Sequence, residues 1–268
     1  MPMAQSIDVL DTPALQQLLT TQTFGRTMYI LPSTTSTNDI LKDLAHHGAP
    51  EGTVVVAEHQ THGRGRHGRI FASPAGVGLY LSLLVRPQVD TPRLPQLTLA
   101  SAVATAEALA EYSALPVRLK WPNDVEIHGK KAAGILCEAV LSPATSPLVI
   151  IGVGINVNTA LEHFPPELHQ QVTSLALAAG HPWARLPLLA GLLSHLERLY
   201  HTFHQGNITP ILQRWLHYGP IIGRQVRFTD ASGAGVGTVI DLAEDGALLV
   251  QNTEGVQQRL VAGEVFFC

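Results

Sequence analysis

The chain has 268 residues, of which 46% are apolar and 14% charged, which supports a sizeable core and excludes a disordered chain. A net charge of −4 offers nucleic acid or an anionic membrane no overall attraction. Its two cysteines, Cys137 and Cys268, are too few for a disulfide framework. The first eight residues lack a basic, apolar leader and no apolar run approaches the ~20 residues of a membrane span, so a cytoplasmic location is expected.

The predicted elements run as follows. Asp8 to Thr20 reads as a short helix through Leu10, Leu15, Leu18 and Leu19, and Met28-Tyr29-Ile30 as a strand. Ser36, Thr37 and Asn38 precede Ile40, Leu41 and Leu44 in the pattern of a helix N-terminus. Thr53–Ala57 and Leu79–Val85 are apolar strands flanking a Gly/Arg-rich loop. Pro92 to Ser113 holds an alanine-rich helix. Val117–Lys120, Val125–Ile127, Ala133–Val140 and Leu148–Val153 read as strands, with a turn at His128-Gly129 and another at Pro143/Pro147. Leu186, Leu189, Leu193, Leu196 and Tyr200 recur at helical spacing up to Phe203. After Gly219-Pro220 short strands, four or five in all and including Gln225–Phe228, Val236–Ile240, Ala247–Gln251 and Gln258–Val261, alternate with glycine turns, the pattern of a small β-barrel. Mixed hairpins with segregated helices indicate an α+β fold.

The loop Gly63-Arg64-Gly65-Arg66-His67-Gly68-Arg69 is the most informative stretch. Its glycines allow close backbone approach, and its guanidinium groups match carboxylate and phosphate oxygens. It is too short, in too acidic a chain, for an RGG-type nucleic-acid segment. Gly63, Gly65 and Gly68 spell a dinucleotide fingerprint, but that motif requires a helix directly after it, and Pro74, Gly76 and Gly78 follow instead. The remaining reading from residues alone is a solvated surface loop.

Around it stand Ser36-Thr37-Asn38, Lys120-Trp121-Pro122-Asn123-Asp124, Gly129-Lys130-Lys131 with Gly134, and Gly152-Val153-Gly154-Ile155-Asn156. In this order and spacing, from about Thr23 to the C-terminus, the chain resembles biotin protein ligases. His67 departs from the arginine common at that place in the family. The resemblance implies three regions: an N-terminal helical segment (1–22), a mixed-sheet catalytic domain of the biotin/lipoate ligase type (23–218) and an SH3-like C-terminal domain (219–268).

The resemblance also implies the site. Ser36, Thr37, Asn38, Gln60, Arg64, Gly65, Arg66 and Lys131 would bind biotin. Arg66, Arg69, Phe71, Asn123, Asp124 and Asn156 would bind the adenylate, with Phe71 stacking on adenine. Lys131 would be catalytic, since a positioned ammonium stabilises the charge that develops when a carboxylate meets the α-phosphate of ATP; the family's lysine, two residues, glycine pattern selects it over Lys130, expected to be solvated. Without the resemblance, Ser36 to Asn38 are explained by helix capping, Asn123-Asp124 by a turn, Lys130-Lys131 by a surface turn, and Gln60 by a surface position. Trp121 is expected in the core, and Cys137, in an apolar run, as a buried small hydrophobe.

The implied activity is ATP-dependent formation of biotinyl-5′-AMP and transfer of biotin to a lysine of a biotin carboxyl carrier domain. Biotin and ATP are substrates, Mg²⁺ is expected with ATP, and no metal ligand is assigned. A lipoate or octanoate transferase is the alternative within the superfamily. A biotin-responsive repressor is the alternative of another class, disfavoured because Ser36 follows only 35 residues, too few for a helix-turn-helix domain plus the first catalytic strand. Neither nucleic acid nor membrane is an expected partner; a homodimer is left open.

Overall fold

A computed structural model of the chain describes residues 8–142, 145–230, 233–261 and 263–267. Cys268 and the first seven residues lie outside them, as does Pro143 of the expected turn.

Seven strands form one sheet in the order β1-β2-β3-β7-β6-β5-β4: β1 (Met28–Leu31), β2 (Val54–Ala57), β3 (Gly78–Val85), β4 (Val117–Lys120), β5 (Asp124–Ile127), β6 (Lys130–Ser142) and β7 (Thr145–Asn156). Only β1 and β2 pair in parallel; every other neighbour is antiparallel, so the sheet is mixed. His128 and Gly129 both carry positive φ, 52° and 74°, the conformation of a two-residue hairpin turn, and this links β5 to β6. The β6–β7 hairpin is longer than the sequence indicates, because Pro147 lies within β7 instead of ending it.

Side-chain alternation sorts the sheet into two faces. Val54, Val56, Leu79, Leu81, Leu83, Val149, Ile151, Val153 and Ile155 join the main core, covered by α3 (Gln96–Ser113) and α5 (Arg185–His204). Val55, Leu84 and Ile150 point the other way and pack against Leu41 and Ala45 of α2 (Thr37–His46). The intervening positions on that second face are Ser82, Gly152, Gly154 and Gly134, with Ser82 opposite Gly152 and Gly134 opposite Gly154. The sheet is therefore bare of bulk beside the start of α2, and a cavity lies there.

The chain opens with α1 (Thr12–Leu18), capped by Asp11, whose carboxylate accepts from the Ala14 N–H at 2.8 Å. Arg185, at the start of α5 and 1% exposed on its side chain, pairs with Asp8 at 2.8 Å and Glu58 at 2.5 Å. That ties the N-terminal segment to the exit of β2. Two helices have no counterpart among the expected elements: α4 (Leu175–Ala179) and α6 (Thr209–Tyr218). The latter carries Pro210 in its first turn and buries Ile211 and Trp215, four residues apart.

A second, antiparallel sheet has the order β11-β10-β9-β8-β12: β8 (Gln225–Asp230), β9 (Gly233–Leu242), β10 (Leu248–Gln251), β11 (Gln257–Leu260) and β12 (Glu264–Phe267). It is a small SH3-like domain. A fifth strand falls within the expected four or five, at Glu264–Phe267, a range the sequence does not mark. Val226, Phe228, Val239, Leu248 and Val265 belong to the same continuous core as the large sheet. Among the described residues no helix is long and apolar enough to cross a membrane.

Candidate active site

The cavity measures about 1210 Å³, ample for a drug-sized ligand. Its floor is the glycine patch. A Cβ on Gly152 would lie 2.5 Å from the Asn38 amide oxygen, and one on Gly154 would lie 2.6 Å from the Phe71 ring. The glycines are there because Asn38 and Phe71 occupy the space that side chains would fill.

At one end stands the N-terminus of α2. Ser36 is its N-cap residue by position but makes no side-chain cap bond, so capping does not account for it. The first-turn donor is satisfied from elsewhere: Gln60 Oε1 accepts from Thr37 N–H at 2.9 Å and from Thr37 Oγ1 at 3.1 Å. Gln60 Nε2 donates to Ser73 Oγ at 3.0 Å, so Gln60 is an organised member of the wall and not a surface residue. Below it, Ser82 Oγ lies 2.7 Å from Thr37 Oγ1 and 2.5 Å from Asn38 Oδ1; its single proton serves one at a time. Asn38 Nδ2 donates to Glu138 at 2.5 Å. Ser82 and Glu138 are missing from the expected site. A fully buried serine inside the apolar run of β3 was the available signal for the first.

Burial alone would raise the Glu138 carboxyl, but hydrogen bonds from Lys42 and Asn38 and the charges of Lys42 and Arg64 hold it below the usual carboxylate range. Arg64 reaches Asp39 at 2.6 Å and Glu138 at 3.3 Å, so its guanidinium braces the loop against α2 and β6. Gly65 N–H bonds to Arg69 O at 2.7 Å and Phe71 N–H to Gly63 O at 2.9 Å, which folds the arginine run into a small hairpin at the cavity rim. His67 at its tip has φ 54° and is exposed, and Ile70 is 84% exposed. Arg66 extends inward to Asn123 Oδ1 at 3.4 Å, while Arg69 stays on the rim.

The far wall is β5 and β6. Asp124 and Glu126, two apart on β5, share the cavity face, while Val125 and Ile127 are fully buried in the core. Asp124 begins a strand and does not belong to the turn; Asn123 precedes it, with Nδ2 donating to Ile135 O at 2.8 Å. On β6, Lys131 and Gly134 are three residues apart and would normally face opposite sides. The pairing skips a residue at Ala132, so that Glu126 faces Lys131 while Val125 faces Ala133. This bulge turns Lys131 to the same side as Gly134. A Cβ on Gly134 would lie 3.2 Å from Lys131 Nζ, which explains the lysine–glycine spacing: the ammonium lies over the glycine.

Lys131 Nζ sits 2.6 Å from Asp124 Oδ1 as an ion pair outside hydrogen-bond geometry. Its main chain is pinned by the segment after β7: Lys131 N–H bonds to Gln171 O at 2.8 Å, and Thr173 N–H to Lys131 O at 2.9 Å. Lys130 points elsewhere, half-buried, with Nζ 3.4 Å from His169 O. It is therefore less solvated than the sequence suggests, and it is not in the cavity lining.

Asn156, 3% exposed, donates to Thr173 O at 3.0 Å and leaves Oδ1 without a partner among the described residues. Phe164, Leu168 and Val172 add an apolar wall that the sequence reading omits. Trp121 is buried, as expected, and its indole donates to Gly246 O of the second sheet at 3.0 Å. Cys137, half-buried against the main core, has its thiol pushed up to about 11 by burial, the behaviour of a packing residue and not of a nucleophile.

A polar pocket at a helix start, a glycine floor, an ammonium paired with a carboxylate and an arginine hairpin thus line one cavity. The model of the biotin/lipoate A/B protein ligase family matches residues 30–156, and that of the biotin protein ligase C-terminal domain matches residues 221–268. The bifunctional ligase/repressor of Bacillus subtilis is 37% identical over 240 residues, 90% of this chain and 74% of that protein. The chain belongs to the biotin protein ligase family. The family's biotin–[acetyl-CoA-carboxylase] ligase from Paracoccus denitrificans is 32% identical, covering 89% of this chain and 99% of that one. The biotin protein ligase from Aquifex aeolicus, solved in complex with biotin and ATP, superimposes with TM-score 0.78 at 31% identity, over 91% of this chain and 99% of its own.

Proposed function

We propose that this biotin protein ligase joins biotin to AMP in the cavity described and passes it to a lysine of a carboxylase carrier domain. The observation that carries the reading is Lys131, lying over Gly134 and between the α2 pocket and the β5 carboxylates. An ammonium there meets both the biotin carboxylate and the ATP α-phosphate, two anions that repel unless a cation stands between them. The carboxylate oxygen attacks the α-phosphorus and pyrophosphate leaves. The carrier amine then attacks the acyl carbon, and AMP leaves.

The polar end formed by Ser36, Thr37 and Gln60 suits the neutral ureido group of biotin, with Asn38 holding Thr37 through Ser82 and the glycine floor passing beneath the ring system. Arg64 and Gly65 shape the hairpin over it. Arg66 and Arg69 supply charge to the adenylate phosphate, Asn123 and Asn156 supply neutral polar contacts, and Phe71, seated against Gly154, offers adenine an aromatic ring. Closure of the hairpin keeps water from the mixed anhydride.

Among the described residues no group of three or more His, Cys, Asp or Glu is placed to hold a metal ion. Mg²⁺ arriving with ATP would be carried by phosphates and water. A cytoplasmic location and a carboxylase carrier as partner complete the proposal; a lipoate substrate is disfavoured by the polar end of the pocket. Incubation with biotin, ATP and a carrier domain, followed by intact mass, tests it: the carrier gains one biotinyl group and pyrophosphate appears. Loading of lipoate in place of biotin would overturn it.

A further inference from the structure

One group in the cavity has no part in the chemistry above. At the end nearest the second sheet, Lys120 Nζ lies 3.8 Å from Glu126 Oε1 and 5.3 Å from the centre of the Phe266 ring. Lys120 comes from β4, Glu126 from β5 and Phe266 from β12, so three strands of two sheets converge on one ammonium. Glu126 and Phe266 both line the cavity that holds Lys131. The Glu126 side chain is 17% exposed, and among the described residues Lys120 is its one ion-pair partner. Phe266 is 46% exposed and lines the cavity, so part of its ring is accessible there.

A carboxylate and an aromatic face are the two elements that recognise a primary alkylammonium. We propose that Glu126 and Phe266 form the receiving subsite for the acceptor lysine of the carrier, with Lys120 holding its place until the acceptor arrives. This inference rests on the biotin ligase reading and adds where the second substrate enters. Three observations favour it. Asp124, the other carboxylate on this face, is already engaged by Lys131 at 2.6 Å, whereas the Lys120 contact is longer and exchangeable. Glu126 sits opposite Lys131 in the strand pairing, so a side chain guided along β5 arrives beside the acyl group held at Lys131. Lys120 itself, 31% exposed, shows that a lysine ammonium fits between the carboxylate and the ring. Burial raises the Glu126 carboxyl, a tendency Asp124 reinforces and Lys120 and Lys131 oppose, which suits a group that gives up one ammonium for another.

The test uses the full chain, loaded with biotinyl-adenylate made in place from biotin and ATP. It is chased either with the carrier domain or with hydroxylamine, a small nucleophile that is uncharged at neutral pH. The ratio of carrier transfer to hydroxylamine capture is compared among wild type, E126Q and F266L. Loss of a charge-assisted contact is expected to lower the ratio about tenfold in E126Q, and loss of the ring face about threefold in F266L, both through a higher KM for the carrier at similar kcat. Equal ratios in all three proteins, or a loss in kcat alone, would overturn the subsite. A wild-type chain that makes no adenylate would overturn the ligase reading itself, and this inference with it.

Discussion

The Lys131 ammonium and the Asp124 carboxylate meet at 2.6 Å across the β5–β6 pair. The pair fixes the direction of a flexible side chain, so the cation waits where negative charge will gather and little reorganisation is needed when it does. Lys131→Ala is expected to lower biotinyl-adenylate formation by on the order of 10²-fold or more. Lys130→Ala, removing an ammonium that leans on His169 O, should change it by less than about threefold. Biotin-dependent pyrophosphate release separates the two. Similar losses in both would take Lys131 out of its role.

The hairpin 63–71 is closed by a few backbone bonds, and His67 to Ile70 are exposed, which marks a segment that opens locally at low cost. Amide exchange at residues 62–70 is expected to slow at least tenfold when biotin and ATP are added together. Biotin analogues lacking the carboxylate should protect it less, because they cannot proceed to the adenylate. Unchanged exchange in the loaded protein would rule out closure.

Much of this site was legible from residue order, and the part that was not has a physical reason. Lys131 and Gly134 stand out as a lysine–glycine spacing, but what makes them neighbours is the extra residue at Ala132, and a bulge leaves no mark in composition. Ser36 and Thr37 look like a helix cap; the structure instead gives the Thr37 N–H to Gln60, a contact spanning 23 residues that no local rule anticipates. The apolar strands of the large sheet were visible because buried strands are continuous runs. Helix Thr209–Tyr218 was not, since only Ile211 and Trp215 are fully buried within it. Glu126 was hidden for the opposite reason: alternation with Val125 and Ile127 reads as an ordinary solvated strand face until the second sheet is seen beside it.

Stability at acid pH is expected to depend on Glu197. Burial would raise this carboxyl, but the backbone N–H groups of Phe24, Gln22 and Thr23, together with the charge of His201, hold it below the usual range; the three bonds measure 2.9, 2.8 and 2.7 Å. A lowered folded value contributes stability that is complete above the unfolded value of about 4.3 and is lost as pH falls through the folded one. Glu197→Gln should cost about 1–3 kcal/mol at pH 7. The difference from wild type in urea unfolding should narrow below about pH 4. A constant difference down to pH 3 would show that charge has no part in it.

The second sheet is expected to matter for both half-reactions. Trp121, directly before Pro122, Asn123 and Asp124, is anchored by its indole to Gly246 O at 3.0 Å, and Gln96 Nε2 bonds to Glu244 O at 2.9 Å. Gly263, Val265 and Phe266 then line the cavity directly. Removal of residues 220–268 would expose Trp121 and release the strand that carries Asp124. A displacement of about 1 Å in a catalytic group can cost roughly 10²-fold, so a chain ending at Gly219 should form adenylate on the order of 10²-fold more slowly. Transfer to the carrier should fall further, because the Phe266 contact is lost as well. Circular dichroism and pyrophosphate release on the truncated chain, beside carrier labelling from pre-made adenylate, measure the two losses separately. If the shortened protein stays folded and labels its carrier at the full-length rate, the second sheet supports neither step.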